Sequence, residues 1–292
     1  MISRGAAHVT LAAQSVGYLI HERDDSGVVH SVFAGACNFA CSDGRLLTLA
    51  HAEAGNAPTT ILLAKSRLPD LRALFHAEAT IVCSDRMLRV SGVEVQFGSA
   101  AVWYPRARRD ALAPAALAQR LRVAENYLAR HRSGLGGVAG NAAHRAVKSL
   151  VHAVKRLDRD AAVVALQRVI GLGEGLTPAG DDFVIGLLAG LDALPMNEAQ
   201  RSLRAALGAA VADFTYRTTD ISAHSLRLAS RGHYAETLDD LRDVLFCEHR
   251  ARLVQPALER VLQIGATSGA DTLAGLLAAL ETRLVNTIAT EP

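Results

Sequence analysis

The residues best suited to chemistry lie in GLGEGLTPAGDDFVIG, 171 to 186, where Gly171, Gly173 and Gly175, a Thr177-Pro178 pair and the adjacent Asp181 and Asp182 precede an apolar run. A second stretch repeats the pattern. AGDDFVIGLLAGL (179 to 191) aligns without a gap on SGADTLAGLLAAL (268 to 280), and the two share a Gly-x-Asp-x-x-x-Gly frame. The offset, 271 minus 182, is 89 residues, longer than a usual solenoid repeat and compatible with a duplication. Asp182, Gly186 and Gly190 stand at i, i+4 and i+8, as do Asp271, Gly275 and Ala279, so on a helix each acid shares a face with a stripe of small residues. Glycine inside a helix costs about 1 kcal/mol relative to alanine, and close packing of two backbones is the usual compensation. The spacing therefore predicts two helices packed through their stripes, with the carboxylates of Asp182 and Asp271 at the same end. Two such carboxylates repel, and one is pushed toward its protonated form unless a cation or hydrogen-bond donors come between them.

A site of this kind wants a guest, and the glycine-rich approach to a helix N-terminus could supply backbone N–H groups to an anion. It is not a Walker A loop, since no lysine follows the last glycine, and it lacks the strand-loop-helix setting of a dinucleotide fingerprint. The candidate ligand contacts are Gly173, Gly175, Thr177 and Gly180 from the loop, Asp181 and Asp182 for polar recognition, and Thr267, Ser268, Gly269 and Asp271 from the matching half. A small anionic substrate fits this set, and Mg²⁺ between Asp182 and Asp271 is an option the two carboxylates leave open. The competing structural reading needs no ligand. Thr177 would cap a helix with Pro178 at its first position, Ser268 and Asp271 would form a capping box, and the acids would complement the helix dipoles.

Other polar residues are weaker candidates. Asp220, Ser222, His224 and Ser225 crowd one segment, but there is no G-x-S-x-G elbow and residues within one helical turn seldom reach triad geometry, so a capped helix with a polar face is favoured over a Ser-His-Asp hydrolase. Thr219 and Ser222 could border the pocket. Asn38, in the strand-like run CNF, reads as a buried hydrogen-bonding residue, with a site contact as the alternative. The histidines include no HExxH, and Cys37, Cys41, Cys83 and Cys247 include no CxxC, so neither structural zinc nor a disulfide scaffold is expected.

The elements that must position these groups divide the chain. Strand-like runs such as HVTLAAQ, RLLTLA, TTILLA and VEVQFG fill the first hundred or so residues, with turns at Ser42-Asp43-Gly44 and around Gly55. From about 111 the period turns helical, with helices expected over 112–131, 141–157, 159–170, 178–193, 197–214, 222–231, 235–246, 249–263 and 268–285. This is an α+β chain: a β-rich domain over 1–110 and a helical domain over 111–292. At 292 residues, half of them hydrophobic, with a net charge of +2, it can bury a substantial core. The start of the chain does not read as a signal peptide, and no run of about 18 apolar residues could span a bilayer, so a cytoplasmic protein with no membrane role is expected. Residues 101–160 hold twelve Arg or Lys against four Asp or Glu, whereas 171–200 hold five acids and no base. With no nucleic-acid motif present, the spaced arginines read as a solvated face rather than a nucleic-acid surface.

GLGxGLTPxGDD, together with TTDISAHSLRLASRG (218–232) and IGATSGADTLAGLL (264–277), resembles a bacterial family that includes the AllH-type subunit of oxamate carbamoyltransferase. The likeness is densest over about 165 to 280, and in the first half SVFAGACNF, DGRLLTL and GNAPTTI share it. The resemblance implies a part in reversible carbamoyl transfer between carbamoyl phosphate and oxamate, in allantoin or purine breakdown, with companion subunits of AllF (FdrA-like) and AllG type. It transfers no catalytic residue. Where the family usually has GPGLTP, this chain has Glu174 between Gly173 and Gly175, adding negative charge beside the proposed anion loop. A non-catalytic assembly subunit, whose glycine stripes serve packing alone, is the alternative function. A stand-alone hydrolase using Ser222 or Ser225 is the third.

Overall fold

A computed structural model describes residues 9–20, 24–64, 69–106, 112–131, 133–136 and 140–288. The chain separates into two compact units between Pro105 and Arg106, while the expected boundary at 110/111 falls outside the described residues.

The first unit is a closed sheet. Its strands are β1 (Val9–Gly17), β2 (Asp25–Val32), β3 (Ala36–Cys41), β4 (Leu46–Ala50), β5 (Thr60–Leu63), β6 (Thr80–Ser84), β7 (Met87–Val90), β8 (Val93–Gln96) and β9 (Ala101–Trp103). They run in the order β5-β4-β3-β2-β6-β7-β8-β1, and β1 pairs back onto β5. Closure leaves no open edge in the ring. β1 does double duty on its other side: Val9 to Ala12 pair with β8 and Ser15 to Gly17 with β9, both in parallel. Alternate side chains point inward, so Ile81, Cys83, Leu88, Val90 and Val95 join Phe39, Leu49 and Ile61 in one core. Asn38 lies inside β3 with its Nδ2 donating to Ser31 Oγ at 3.0 Å and its Oδ1 accepting from Thr48 Oγ1 at 2.8 Å, the buried hydrogen-bonding role expected for it.

The second unit is helical: α1 (Pro114–Leu128), α2 (Gly140–Lys155), α3 (Arg159–Val169), α4 (Ala179–Leu191), α5 (Glu198–Phe214), α6 (Asp220–Ser230), α7 (Glu236–Phe246), α8 (Val254–Leu262) and α9 (Ser268–Ile288). One expected helix starts late. Residues 248–253 form a 3-10 turn, and α8 begins only at Val254, because Pro256 lacks an N–H and is tolerated only in a first turn. The α-helix also does not start at Pro178 under a Thr177 cap: Pro178 itself occupies the cap position of α4, with no side-chain bond to the helix.

α4 is buried on every side except at Ile185, as expected of a helix apolar all round. Its partner at the centre is α9, and α1, α2 and α8 pack on α9 while α3, α6 and α7 pack on α4. The C-terminal end of α4 is fixed by Asp192, whose carboxylate accepts from Arg204 at 2.8 and 2.9 Å and from the Tyr234 hydroxyl at 2.6 Å. Arg120, buried in α1, donates to the carbonyls of Val244, Leu245, Cys247 and Glu248, satisfying the unpaired end of α7. Among the described residues no helix is long and apolar enough to cross a membrane.

Candidate functional site

The glycine stripes set the geometry. A Cβ on Gly186 would fall 1.9 Å from the carbonyl oxygen of Thr272, and one on Gly275 would fall 1.9 Å from that of Phe183. These contacts are images of each other, since 183 and 186 lie 89 residues before 272 and 275. One step on, Gly190 meets Leu276 and Ala279. The register advances in the same direction on both helices, so α4 and α9 run parallel with their N-termini at one end. Glycine is needed at these contacts because any side chain would drive the backbones apart.

Each helix is approached in the same way. α3 and α8 both end on an Ile-Gly pair in which the glycine, Gly171 or Gly265, takes positive φ (77° and 57°). Gly180 then packs against the carbonyl of Val169 and gives its N–H to Leu172 at 2.8 Å, while Gly269 packs against Val261 and gives its N–H to Ile264 at 3.0 Å. These two glycines are packing residues, and their N–H groups are already spent. Gly180 stands nine positions after Gly171 but Gly269 only four after Gly265, so the first loop is longer, and its extra length carries Gly173, Glu174, Gly175 and Leu176 on the exposed surface.

The polar side chains at the shared end differ sharply. Asp181 is fully buried, and its oxygens accept from the N–H of Gly171 at 2.7 Å, from Ser222 Oγ at 2.6 Å and from Thr218 Oγ1. It ties the loop and the start of α6 to α4. No acceptor capacity is left pointing outward, so Asp181 belongs to the framework rather than to polar recognition. Asp271 is also fully buried; Ser133 Oγ donates to one oxygen at 2.5 Å and the Gly134 N–H to the other at 3.0 Å. It does not form a capping box with Ser268, because its carboxylate turns to the 133–134 segment. Thr177 and Ser268 join the two helix starts directly, their hydroxyl oxygens 2.9 Å apart, and both are half-buried, as is Thr267.

Asp182 is the exception. It is 6% exposed, and its Oδ2 is buried with no hydrogen-bond partner among the described residues. Burial pushes its carboxyl up to about 7; the hydroxyl of Ser268 pulls it back, the charges of Asp271 and Asp181 raise it further, and Thr177 opposes them. A buried acceptor left without a donor costs about 1–3 kcal/mol, so its retention calls for a compensating role. Asp182 and Asp271 are equivalents in the repeat, yet both oxygens of Asp271 have a donor while Oδ2 of Asp182 has none among the described residues.

Asp182 lies within electrostatic reach of Asp271 and within reach of the Ser268 and Thr177 hydroxyls, both of which are more exposed than it is. Ser133, Gly134 and Thr218 escaped the sequence reading, although the SGLGG run at 133–137 has the composition of a close backbone approach. Ser222 is 1% exposed and committed to Asp181, while Ser225 Oγ donates to the carbonyl of Ile221, so neither is poised as a nucleophile. Thr219 caps α6 through the Ser222 N–H and gives its own hydroxyl to the carbonyl of Leu176, bracing the loop. Among the described residues no cluster of three His, Cys, Asp or Glu side chains could hold a metal ion, and Asp271 comes to the site with both oxygens already bonded.

Two family models match the chain: oxamate carbamoyltransferase subunit AllH over residues 169–280, and the AllH family N-terminal domain over residues 8–102. No solved structure matches it. The glycine loop, both helix starts and the α4–α9 contact all fall inside the first match, and the ring β1–β8 inside the second, so the chain belongs to the AllH family of oxamate carbamoyltransferase subunits.

Proposed function

We propose that this chain contributes a ligand pocket to a cytoplasmic oxamate carbamoyltransferase of allantoin or purine catabolism, working with companion subunits of AllF (FdrA-like) and AllG type. The pocket lies at the shared start of α4 and α9. The observation that carries this reading is the orphaned Oδ2 of Asp182. Its repeat equivalent, Asp271, is satisfied by an N–H and an O–H from the chain, and a ligand amide offers the same kind of donor to Asp182. Both carbamoyl phosphate and oxamate carry an NH₂ group on a carbonyl carbon. Their anionic ends would be drawn by the helix N-termini and repelled by the three aspartates, so the amide is the end that enters.

In this arrangement Asp182 accepts an amide N–H, Thr177 and Ser268 supply hydroxyls at the mouth, and Gly173 and Gly175 shape the exposed loop above. Asp181, Gly180, Gly269 and Asp271 hold the two helix starts in register. Carbamoyl transfer needs chiefly positioning and stabilisation of charge on the carbonyl oxygen, and the chain supplies the positioning.

The assembly-only reading has one observation in its favour: close packing alone explains Gly186, Gly190 and Gly275. Turnover of the reconstituted complex separates the two. With Asp182→Asn, the pocket reading expects carbamoyl transfer to fall by about 10- to 100-fold, the worth of a hydrogen bond to a charged group. Unchanged turnover would leave only the scaffold.

A further inference from the structure

The α2–α3 hairpin carries a groove of about 900 Å³, and none of the Asp182-site residues lines it. Its floor is apolar: Val147 and Val151 from α2 are half-buried, and Val164 from α3 is 52% exposed. Its rim is basic. His144, Lys148 and His152 recur every four residues along α2, Lys155 and Arg156 continue the row, and Arg168 stands on α3. Among the described lining residues Asp158 is the one acid. Lys148, Arg156 and Arg168 have no ion-pair partner among the described residues, while Lys155 is within electrostatic reach of Glu281.

We propose that this groove seats an acidic amphipathic helix from a companion subunit of the enzyme. The shape favours a helix over a small molecule. The row from residue 144 to residue 156 extends about 18 Å at 1.5 Å per residue, three turns or so of a partner helix. The cations stand in solvent along that whole length instead of converging on one point, as they do around a small anion. An apolar floor between charged banks takes the apolar face of a helix at i, i+3, i+4 and i+7, and the excess positive charge requires acids on its flanks. Such a partner exists for a family of subunits by definition, and the inference rests on that membership, not on the ligand pocket at Asp182.

The test uses the complex assembled from this chain with its FdrA-like and AllG-like companions. Zero-length carbodiimide cross-linking joins lysines to carboxylates. Lys148 and Lys155 are expected to couple to Asp or Glu side chains of a companion chain spaced about seven residues apart, as the two lysines are on α2. Reversing the exposed row with Lys148→Glu, Arg156→Glu and Arg168→Glu should weaken the companion's affinity by about tenfold or more and reduce its salt dependence, with the helical circular dichroism unchanged. Val164→Asp, a single exposed change, should weaken it too, while Arg201→Glu on α5 should not. Cross-links from Lys148 to a second copy of this chain or to residues 9–105 of the same chain would overturn the proposal, as would full affinity in the reversed variant. Asp182→Asn should leave assembly intact, so loss of the pocket and loss of the docking surface are separately visible.

Discussion

Replacing Asp182 by Asn should change how the stability of the helical unit depends on pH. The carboxyl is raised from its ordinary 3.8 to about 7, chiefly by burial. A carboxyl whose folded-state pKa is raised binds its proton more tightly when folded, so its contribution is fully present below pH 3.8 and is lost as pH climbs through 7. The shift is a little over three pH units at about 1.4 kcal/mol each, or about 4 kcal/mol in all, of which about 3 kcal/mol is lost between pH 5 and pH 8. Asparagine keeps the shape and removes the titration. Urea unfolding at both pH values, followed by helical circular dichroism, measures the loss in each protein. Groups that titrate alike in both cancel, so the wild-type loss should exceed that of Asp182→Asn by about 3 kcal/mol. Equal losses would mean that Asp182 is solvated or fully paired in the folded chain, and its place at the centre of the proposed pocket would go with that result.

Two further substitutions and one chemical probe test the framework. Alanine normally stabilises a helix relative to glycine by about 1 kcal/mol, but Gly186→Ala and Gly275→Ala place a Cβ 1.9 Å from a carbonyl of the facing helix and should each destabilise by about 3 kcal/mol in urea. Stabilisation by either would show that α4 and α9 do not touch there. Burial holds the thiols of Cys37 and Cys83 at about 12, and Cys41 is buried beside them. A thiol reagent at pH 8 should therefore label half-buried Cys247 first and the other three only on unfolding.

Much of this fold was legible in the residues because local chemistry and long-range packing agree. The helical period, the Gly-x-Asp frame and the small stripes on one face pointed to two helices packed closely with their acids together, and the reciprocal contacts of Gly186 with Thr272 and Gly275 with Phe183 match that expectation. The closing pair β1–β5 was not legible, since strand runs show their period but not their partners. Within the candidate site the roles of the acids were also hidden. Asp181 and Asp182 are neighbours of one type, yet the turn between them sends the first toward Gly171 and Ser222 and the second toward Ser268. The capping expectations for Thr177 and Ser268 failed for a related reason: each hydroxyl had a better partner across the interface than along its own helix, and sequence spacing registers only the latter. Ser133 and Gly134 lie more than 130 residues from the aspartate they satisfy.

Titration calorimetry of the assembled complex with oxamate, wild-type against Asp182→Asn and with carbamoyl phosphate in a parallel titration, tests the central claim most directly. A ligand that fills the vacant hydrogen-bonding position of Asp182 should give a clear binding heat in the wild type and an affinity weakened by about 10- to 100-fold in the variant. Superimposable isotherms for the two proteins would contradict it.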